Sequence, residues 1–255
     1  MKMSKFTYCI FLFLFVGFVL ANAQPKVIAH RGYWDVEGAA QNSVFALQKA
    51  QELKIYGAEF DVLVTADGIP VVNHDPVING ITIENVNYAE IKDMTLSNGE
   101  RIPTLEMYLR QGKTSPKVKL ILEIKSHSTK EKEDKAVQEI VDLVKKTKTG
   151  SQVEYIAFSL NVCKEILQLD PKAKVAYLNG DISPRELSLL GISGIDYHFN
   201  VLQKNKNWID EAHQLGMSVN VWTVNDPEIM KEMISAKVDY ITTDKPSELK
   251  KLAKK

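Results

Sequence analysis

Residues 58–75 read Ala-Glu-Phe-Asp-Val-Leu-Val-Thr-Ala-Asp-Gly-Ile-Pro-Val-Val-Asn-His-Asp. Glu59 and Asp61 alternate with Phe60 and Val62, and in a strand that period of two puts both carboxylates on one face and the apolar pair on the other. Asp67-Gly68 is a tight-turn signal. A parallel crossover needs about a dozen residues, so residues 70–73 are expected to fold back on strand 58–64 as a hairpin. Two carboxylates side by side at a strand end repel each other unless a cation sits between them, and a divalent cation is the usual answer.

Outward from this stretch the chain alternates short apolar strands with helical patterns. Lys26 to Ala29 is a strand running into His30-Arg31-Gly32, and Ser43 is placed to cap the helix that follows. After residue 104 the rhythm is regular. Strands are expected at 119–124, 153–158, 173–178, 192–197, 217–223 and 238–242, each followed by a helix, among them 130–148 and 204–215. With the hairpin set aside, eight parallel strands remain, which is the count of an α/β, (β/α)₈ TIM barrel with a hairpin extension after strand 2. A doubly wound sheet would want a glycine-rich loop after the first strand; Gly32 has no second glycine until Gly38. Residues 76–101 are polar and irregular, with Asn79-Gly80 and Asn98-Gly99 turns, and are expected to form a flap over a site.

At 255 residues and 45% hydrophobic composition the chain suits one large domain. A formal net charge of zero gives no pointer to nucleic acid. Lys2 and Lys5 precede an apolar run from Phe6 to Ala21, and Ala21-Asn22-Ala23 is a small-x-small cleavage site. Residues 1–23 therefore read as a signal peptide, and residues 24–255 as a single exported domain, periplasmic or secreted, with no stable membrane span after processing. Cys9 lies in the leader and leaves Cys163 alone, so no intrachain disulfide framework is available.

Barrel chemistry sits at the C-terminal strand ends, and the unusual polar residues fall there: His30 and Arg31, Glu59 and Asp61, His74 and Asp75, Glu123 and Lys125, His198, Trp222 and Asp244. Glu123 and Lys125 share a face; they either pair across the barrel or join a site. Glu59, Asp61 and Glu123 together make an oxygen-rich set suited to Mg²⁺ or Ca²⁺. Zinc is less favoured, since no cysteine is near. Arg31 can grip a phosphate with two prongs and Lys125 can supply a point charge. Added to two histidines, these groups suggest phosphoryl chemistry with histidine acid–base help. His127 reads as solvent-facing. His198 is either core or pocket wall, Asp75 either orients His74 or caps a turn, and Asp244 is expected to hold a rim loop.

The residues carry a resemblance. Ile28-Ala29-His30-Arg31-Gly32, Glu59-Phe60-Asp61-Val62, the run Asp67 to Asp75, Ile102-Pro103-Thr104-Leu105, Leu122-Glu123-Ile124-Lys125, Val221-Trp222-Thr223-Val224-Asn225 and Ile241 to Pro246 together resemble the glycerophosphodiester phosphodiesterase family. The resemblance implies a TIM barrel that hydrolyses small glycerophosphodiesters to glycerol 3-phosphate and an alcohol with a divalent cation. It implies His30 and His74 as an acid–base pair, Glu59, Asp61 and Glu123 as metal ligands, Arg31 and Lys125 as phosphate-binding residues, and Trp222 as a pocket wall. Where the family commonly has Pro-Glu-Asn-Thr, this chain has Ala40-Gln41-Asn42-Ser43; Gln41 loses the charge and Asn42 is kept. Two alternatives stand beside this expectation. One is a related lipid phosphodiesterase or phospholipase D-type lyase, and the other is a non-catalytic barrel that binds a phosphodiester or glycan.

Overall fold

The computed structural model describes residues 24–254; the expected leader lies outside the described residues. The strands are β1 (Lys26–Ala29), β2 (Gly57–Val64), β3 (Pro70–Val72), β4 (Val77–Ile78), β5 (Ile81–Thr82), β6 (Lys119–Ile124), β7 (Val153–Ala157), β8 (Val175–Tyr177), β9 (Gly194–His198), β10 (Ser218–Trp222) and β11 (Tyr240–Thr243). The helices are α1 (Val44–Leu53), α2 (Tyr88–Ile91), α3 (Leu105–Gly112), α4 (Lys130–Thr147), α5 (Leu160–Leu169), α6 (Pro184–Leu189), α7 (Phe199–Lys204), α8 (Asn207–Gln214), α9 (Pro227–Ser235) and α10 (Pro246–Leu252).

Eight strands run parallel in the order β1, β2, β6, β7, β8, β9, β10, β11, and β1 pairs with both β2 and β11, which closes the barrel. The expected hairpin is present, with Val62 opposite Val72 and Val64 opposite Pro70 in antiparallel register. The alternation read in residues 59–62 holds as well. Phe60 faces outward against Tyr108 of α3, with ring centroids 4.3 Å apart, while Glu59 and Asp61 turn inward. Inside the barrel Ile28, Ile121, Ile156 and Leu178 form a separate apolar cluster, and Trp222 and Tyr240 pack against it. Helix α4 buries Ala136, Val137, Ile140, Val141 and Val144 on one face, as its spacing requires. Ser43 caps α1 by accepting from the Ala46 N–H at 2.9 Å, a bond of about 1 kcal/mol.

Three expectations are corrected. The helix expected over 204–215 is α8, starting three residues later, and a helix that was not expected, α7, precedes it. Asn205 leaves helical geometry between them, and its side-chain amide donates to the Val201 carbonyl at 3.0 Å, satisfying the end of α7. Strand β9 starts two residues later than expected and includes His198, which is the strand's last residue rather than one beyond it. Residues 76–101 are not irregular. Asn79 (φ 49°) and Gly80 (φ 79°) make a primed turn joining β4 to β5, and α2 follows. The segment packs Ile83 and Ile91 with Leu63, Val71 and Ile102 into a small core of its own on the outside of the β2–β3 hairpin.

One glycine fixes the first loop. Gly32 has φ 77°, and a Cβ there would stand 2.8 Å from Ala46 Cβ and 2.9 Å from its carbonyl carbon. Its N–H donates to the Glu59 carbonyl at 3.0 Å. Gly32→Ala is therefore expected to cost about 2 kcal/mol or more in denaturant unfolding, from left-handed strain plus the collision with α1.

Candidate active site

Register puts Asp61 of β2 beside Glu123 of β6. An oxygen from each of Glu59, Asp61 and Glu123 lies within 4.8 Å of the others, at 3%, 2% and 7% exposure respectively. The loop after β1 builds the surround. Arg31 (φ 53°) and Asn42 (φ 62°) both hold left-handed backbone. Asn42 clamps Asp61 at two points, donating to Oδ2 at 2.9 Å and accepting from the Asp61 N–H at 3.1 Å. The Arg31 N–H donates to Glu59 Oε2 at 2.8 Å. Its guanidinium donates to Gln41 Oε1 at 2.6 Å, and its Nε stands 3.7 Å from Asp61 Oδ2. Gln41 is thus a neutral acceptor where a glutamate would make an ion pair, which leaves the Arg31 charge uncompensated on that side. Lys125 Nζ lies 3.2 Å from Asp61 Oδ1 and 2.9 Å from Glu123 Oε1; the second is an ion pair without hydrogen-bond alignment.

Three carboxylates face two cations, and burial decides how the charge is shared. Burial, then repulsion from Asp61 and Glu123, pushes Glu59 well above the usual carboxylate range. Burial and the Asp61 charge push Glu123 up to about 7 against the pull of Lys125. For Asp61 burial acts upward too, but Lys125, Asn42, His74 and Arg31 outweigh it and hold it low. For Lys125 burial acts downward, and Glu123 and Asp61 outweigh it, so its ammonium is held charged. Glu59 Oε1 and Glu123 Oε1 are buried without a hydrogen-bond partner. An all-oxygen donor set with surplus negative charge and two orphaned oxygens is what a divalent cation fits.

Around the triad lies a cavity of about 130 Å³, bordered also by His30, His74, Phe158, Leu178 and Trp222. His30 Nδ1 is 2.7 Å from Asp244 Oδ1. Asp244 also accepts from Trp34 at 3.1 Å and from Asn225 at 2.6 Å, so it holds the rim as expected. His74 Nδ1 is 2.7 Å from Asp75 Oδ1, the orienting contact rather than a turn cap. Trp222 forms the expected wall; its indole donates to the Asp196 carbonyl at 2.8 Å. His198 meets the Trp222 ring edge-on at 5.3 Å and does not itself border the cavity. Leu96 and Ser97 border a neighbouring cavity with Arg31, Gln41 and His74, so the segment expected as a flap reaches the rim there.

Two residues were missed by sequence reasoning. His127 is not solvent-facing. It accepts from the Val64 N–H at 3.2 Å through Nε2 and contacts the Lys125 carbonyl at 2.9 Å through Nδ1, pinning the Lys125 loop to β2. Burial lowers its proton affinity and keeps it neutral in that role. Asp196 is buried in β9 and borders the same cavity. The signal was available, since alternation puts Asp196 on the face of His198 two residues on.

A profile of the glycerophosphoryl diester phosphodiesterase family matches residues 30–248. The chain belongs to this family. A crystal structure of a family member from Parabacteroides distasonis is 49% identical, with a TM-score of 0.90 over 91% of this chain and 98% of that one. A glycerophosphodiester phosphodiesterase of Caldanaerobacter subterraneus is 29% identical over 246 residues, covering 90% of this chain and 98% of its own. A phosphodiesterase of Oleispira antarctica in complex with sn-glycerol-3-phosphate shares the fold, with a TM-score of 0.78 at 22% identity over 91% and 98% of the two chains. As a family member the chain is an enzyme, a phosphoric diester hydrolase. Among the described residues no helix is long and apolar enough to cross a membrane.

The expected two-histidine acid–base pair is corrected. The groups packed together at the centre are the carboxylates of Glu59, Asp61 and Glu123. Each histidine is instead bound through Nδ1 to a carboxylate of its own at the rim. The set that the fold gathers at the centre is the acidic triad.

Proposed function

We propose that the chain hydrolyses glycerophosphodiesters to a glycerol phosphate and an alcohol at the Glu59–Asp61–Glu123 triad. The observation that carries this reading is the juxtaposition of three buried carboxylates with Arg31 and Lys125 in one small cavity. The triad would hold a hard divalent cation, Mg²⁺ or Ca²⁺, which when bound supplies positive charge against the phosphoryl oxygens. Arg31 offers a buried Nε–H without a hydrogen-bond partner, 3.7 Å from Asp61, and a guanidinium whose one side-chain hydrogen bond goes to a neutral amide, a donor set that suits a phosphate. Lys125, kept charged by its neighbours, neutralises charge that grows on the phosphoryl group. Trp222, Phe158 and Leu178 give an apolar wall that limits water around the reacting bond. The named activities of the 49% and 29% identical relatives support the substrate class, and the bound product of the Oleispira enzyme supports glycerol 3-phosphate as the half that keeps the phosphoryl group, with the alcohol leaving. The leader in residues 1–23 supports an exported location for this chemistry.

The test is a panel of deacylated phospholipids with released glycerol 3-phosphate assayed with added Mg²⁺ or Ca²⁺ and again after EDTA. Release from at least one member, abolished reversibly by EDTA, is expected. No release from any member under either metal would end this reading.

A further inference from the structure

Five buried side-chain N or O atoms lack a hydrogen-bond partner among the described residues, and four belong to residues bordering the catalytic cavity: Arg31 Nε, Glu59 Oε1, Glu123 Oε1 and Asp196 Oδ1. The first three have a reason in the cation and phosphate. Asp196 does not. It projects from β9, which is four strands from β2 in either direction around the barrel, so it faces the triad across the cavity. It is 2% exposed, and no cation pairs with it among the described residues. Asn220 on the neighbouring strand favours the charged carboxyl, but Oδ1 itself has no partner; leaving a buried polar atom unpaired is costly and points to something that completes it.

Its surroundings narrow what that is. The wall on its side is Ile156, Phe158, Leu178 and Trp222. Neither the Thr242 hydroxyl, which accepts from Asn220 at 2.9 Å, nor the Trp222 indole, which donates to the Asp196 carbonyl, is hydrogen-bonded to Oδ1. A diester whose phosphate lies against Arg31 and Lys125 must send one of its two arms toward this inner wall. The cavity, at about 130 Å³, takes only a small arm. Glycerol is the small arm common to every substrate of the proposed class, while the alcohol varies and is left to the open rim. Resting on that functional reading, we propose that Asp196 is a specificity-determining residue whose carboxyl hydrogen-bonds the terminal hydroxyl of the substrate's glycerol. Burial pushes the carboxyl up to about 7, so near neutral pH it can donate to or accept from a hydroxyl. A second cavity, of about 250 Å³, touches Asp196 from the lower side of the barrel, and water held there is the competing explanation.

The experiment compares sn-glycero-3-phosphoethanolamine with its analogue lacking only the terminal hydroxyl, which keeps the hydroxyl next to the phosphate. Wild type is expected to prefer the parent by about 30-fold or more in kcat/KM, because a site built for a hydroxyl is left unpaired by the analogue. Asp196→Leu should erase that preference by lowering kcat/KM on the parent while changing the analogue less than about 3-fold. Asp196→Asn, which keeps a hydrogen-bonding group, should hold most of the preference. Equal losses on both substrates in Asp196→Leu would mean a structural or hydrating role and overturn the inference. So would a wild type that does not discriminate, and that measurement stands even if the leucine variant fails to fold. Calorimetric binding of glycerol 3-phosphate against propane-1,2-diol phosphate gives the same comparison without turnover. A wild type inactive on every glycerophosphodiester would instead fail the functional reading.

Discussion

Asp61→Ala and Asp61→Asn are each expected to lower turnover on a glycerophosphodiester by about 10³-fold or more, since charge stabilisation by a bound cation contributes several kcal/mol and each 1.36 kcal/mol is tenfold. The asparagine variant keeps the side chain's size but removes the charge that Lys125 and Arg31 face, so its unfolding midpoint is to be measured beside its activity. Glu59 and Glu123 should behave alike, because each presents a buried oxygen with nothing in hydrogen-bond alignment. Cation binding should also show without turnover. At a hundredfold excess over Kd, linkage adds about 2.7 kcal/mol, or roughly 5–10 °C in Tm for a domain of this size. The sign with pH follows from the raised carboxyls. Without cation the folded state holds a proton that the unfolded state has released, with Glu123 at about 7 against an ordinary 4.5. That contribution is full below about pH 4.5 and is lost as pH rises through about 7. Tm of the metal-free protein should therefore fall across this window, and the gain on adding Mg²⁺ or Ca²⁺ should grow across it. Full activity of the Asp61 variants, or a Tm indifferent to both cations at pH 8, would contradict the assignment.

The second large effect belongs to the two cations of the site. Lys125→Met is expected to cost about 10²–10³ in kcat/KM, the range for removing one preorganised donor at a centre of developing charge. It should also destabilise the metal-free protein by about 3–5 kcal/mol, as breaking one side of a buried ion pair does, because Asp61 and Glu123 lose their ammonium neighbour. Added divalent cation should recover much of that stability but not the rate. Arg31→Lys is the sharper test of phosphate binding. The left-handed backbone at Arg31 does not confound it, since Lys54, Lys148 and Lys237 adopt the same conformation in this chain. A lysine keeps the charge and loses the fork, so glycerol 3-phosphate binding should weaken about tenfold or more. Unchanged binding by calorimetry would remove Arg31 from the phosphate site.

The barrel was legible because its signals are local. Alternation at Glu59–Val62 gave the inward carboxylates, the Asp67-Gly68 turn forced the hairpin, and regular βα spacing supplied the strand count. The carboxylate triad was legible for the same reason: its members lie in strands whose facing is set by period two. What escaped depends on partners far along the chain. Nothing near His127 announces that the Val64 N–H, 63 residues back, takes its ring nitrogen. The two histidines stood out as chemistry-bearing types, but their neighbours Asp244 and Asp75 decide what their nitrogens are bound to. The segment 76–101 looked structureless because its apolar residues keep neither a strand nor a helix period for long; they gather on Leu63 and Val71 of the hairpin, far from them in local pattern. Asp196 was passed over beside the more conspicuous His198, although both sit on one face of the same strand.

The seam where β1 meets β11 has a meaning for how the enzyme comes into being. His30 and Asp244, 214 positions apart, touch, and the His30 N–H donates to the Thr243 carbonyl at 3.0 Å across the same seam. The triad comes from the first half of the chain, yet the loop that carries Arg31 and Asn42 springs from β1, which is flanked on one side by the last strand to be synthesised. Such distant pairings close late, because the entropy of a long loop must be met first. A polypeptide halted before residue 240 would own all three carboxylates of the triad and still lack Asp244 and the edge that orients its first loop. A chain truncated before β11 is therefore expected to lack the order of its first loop, and with it turnover, even with the triad in place.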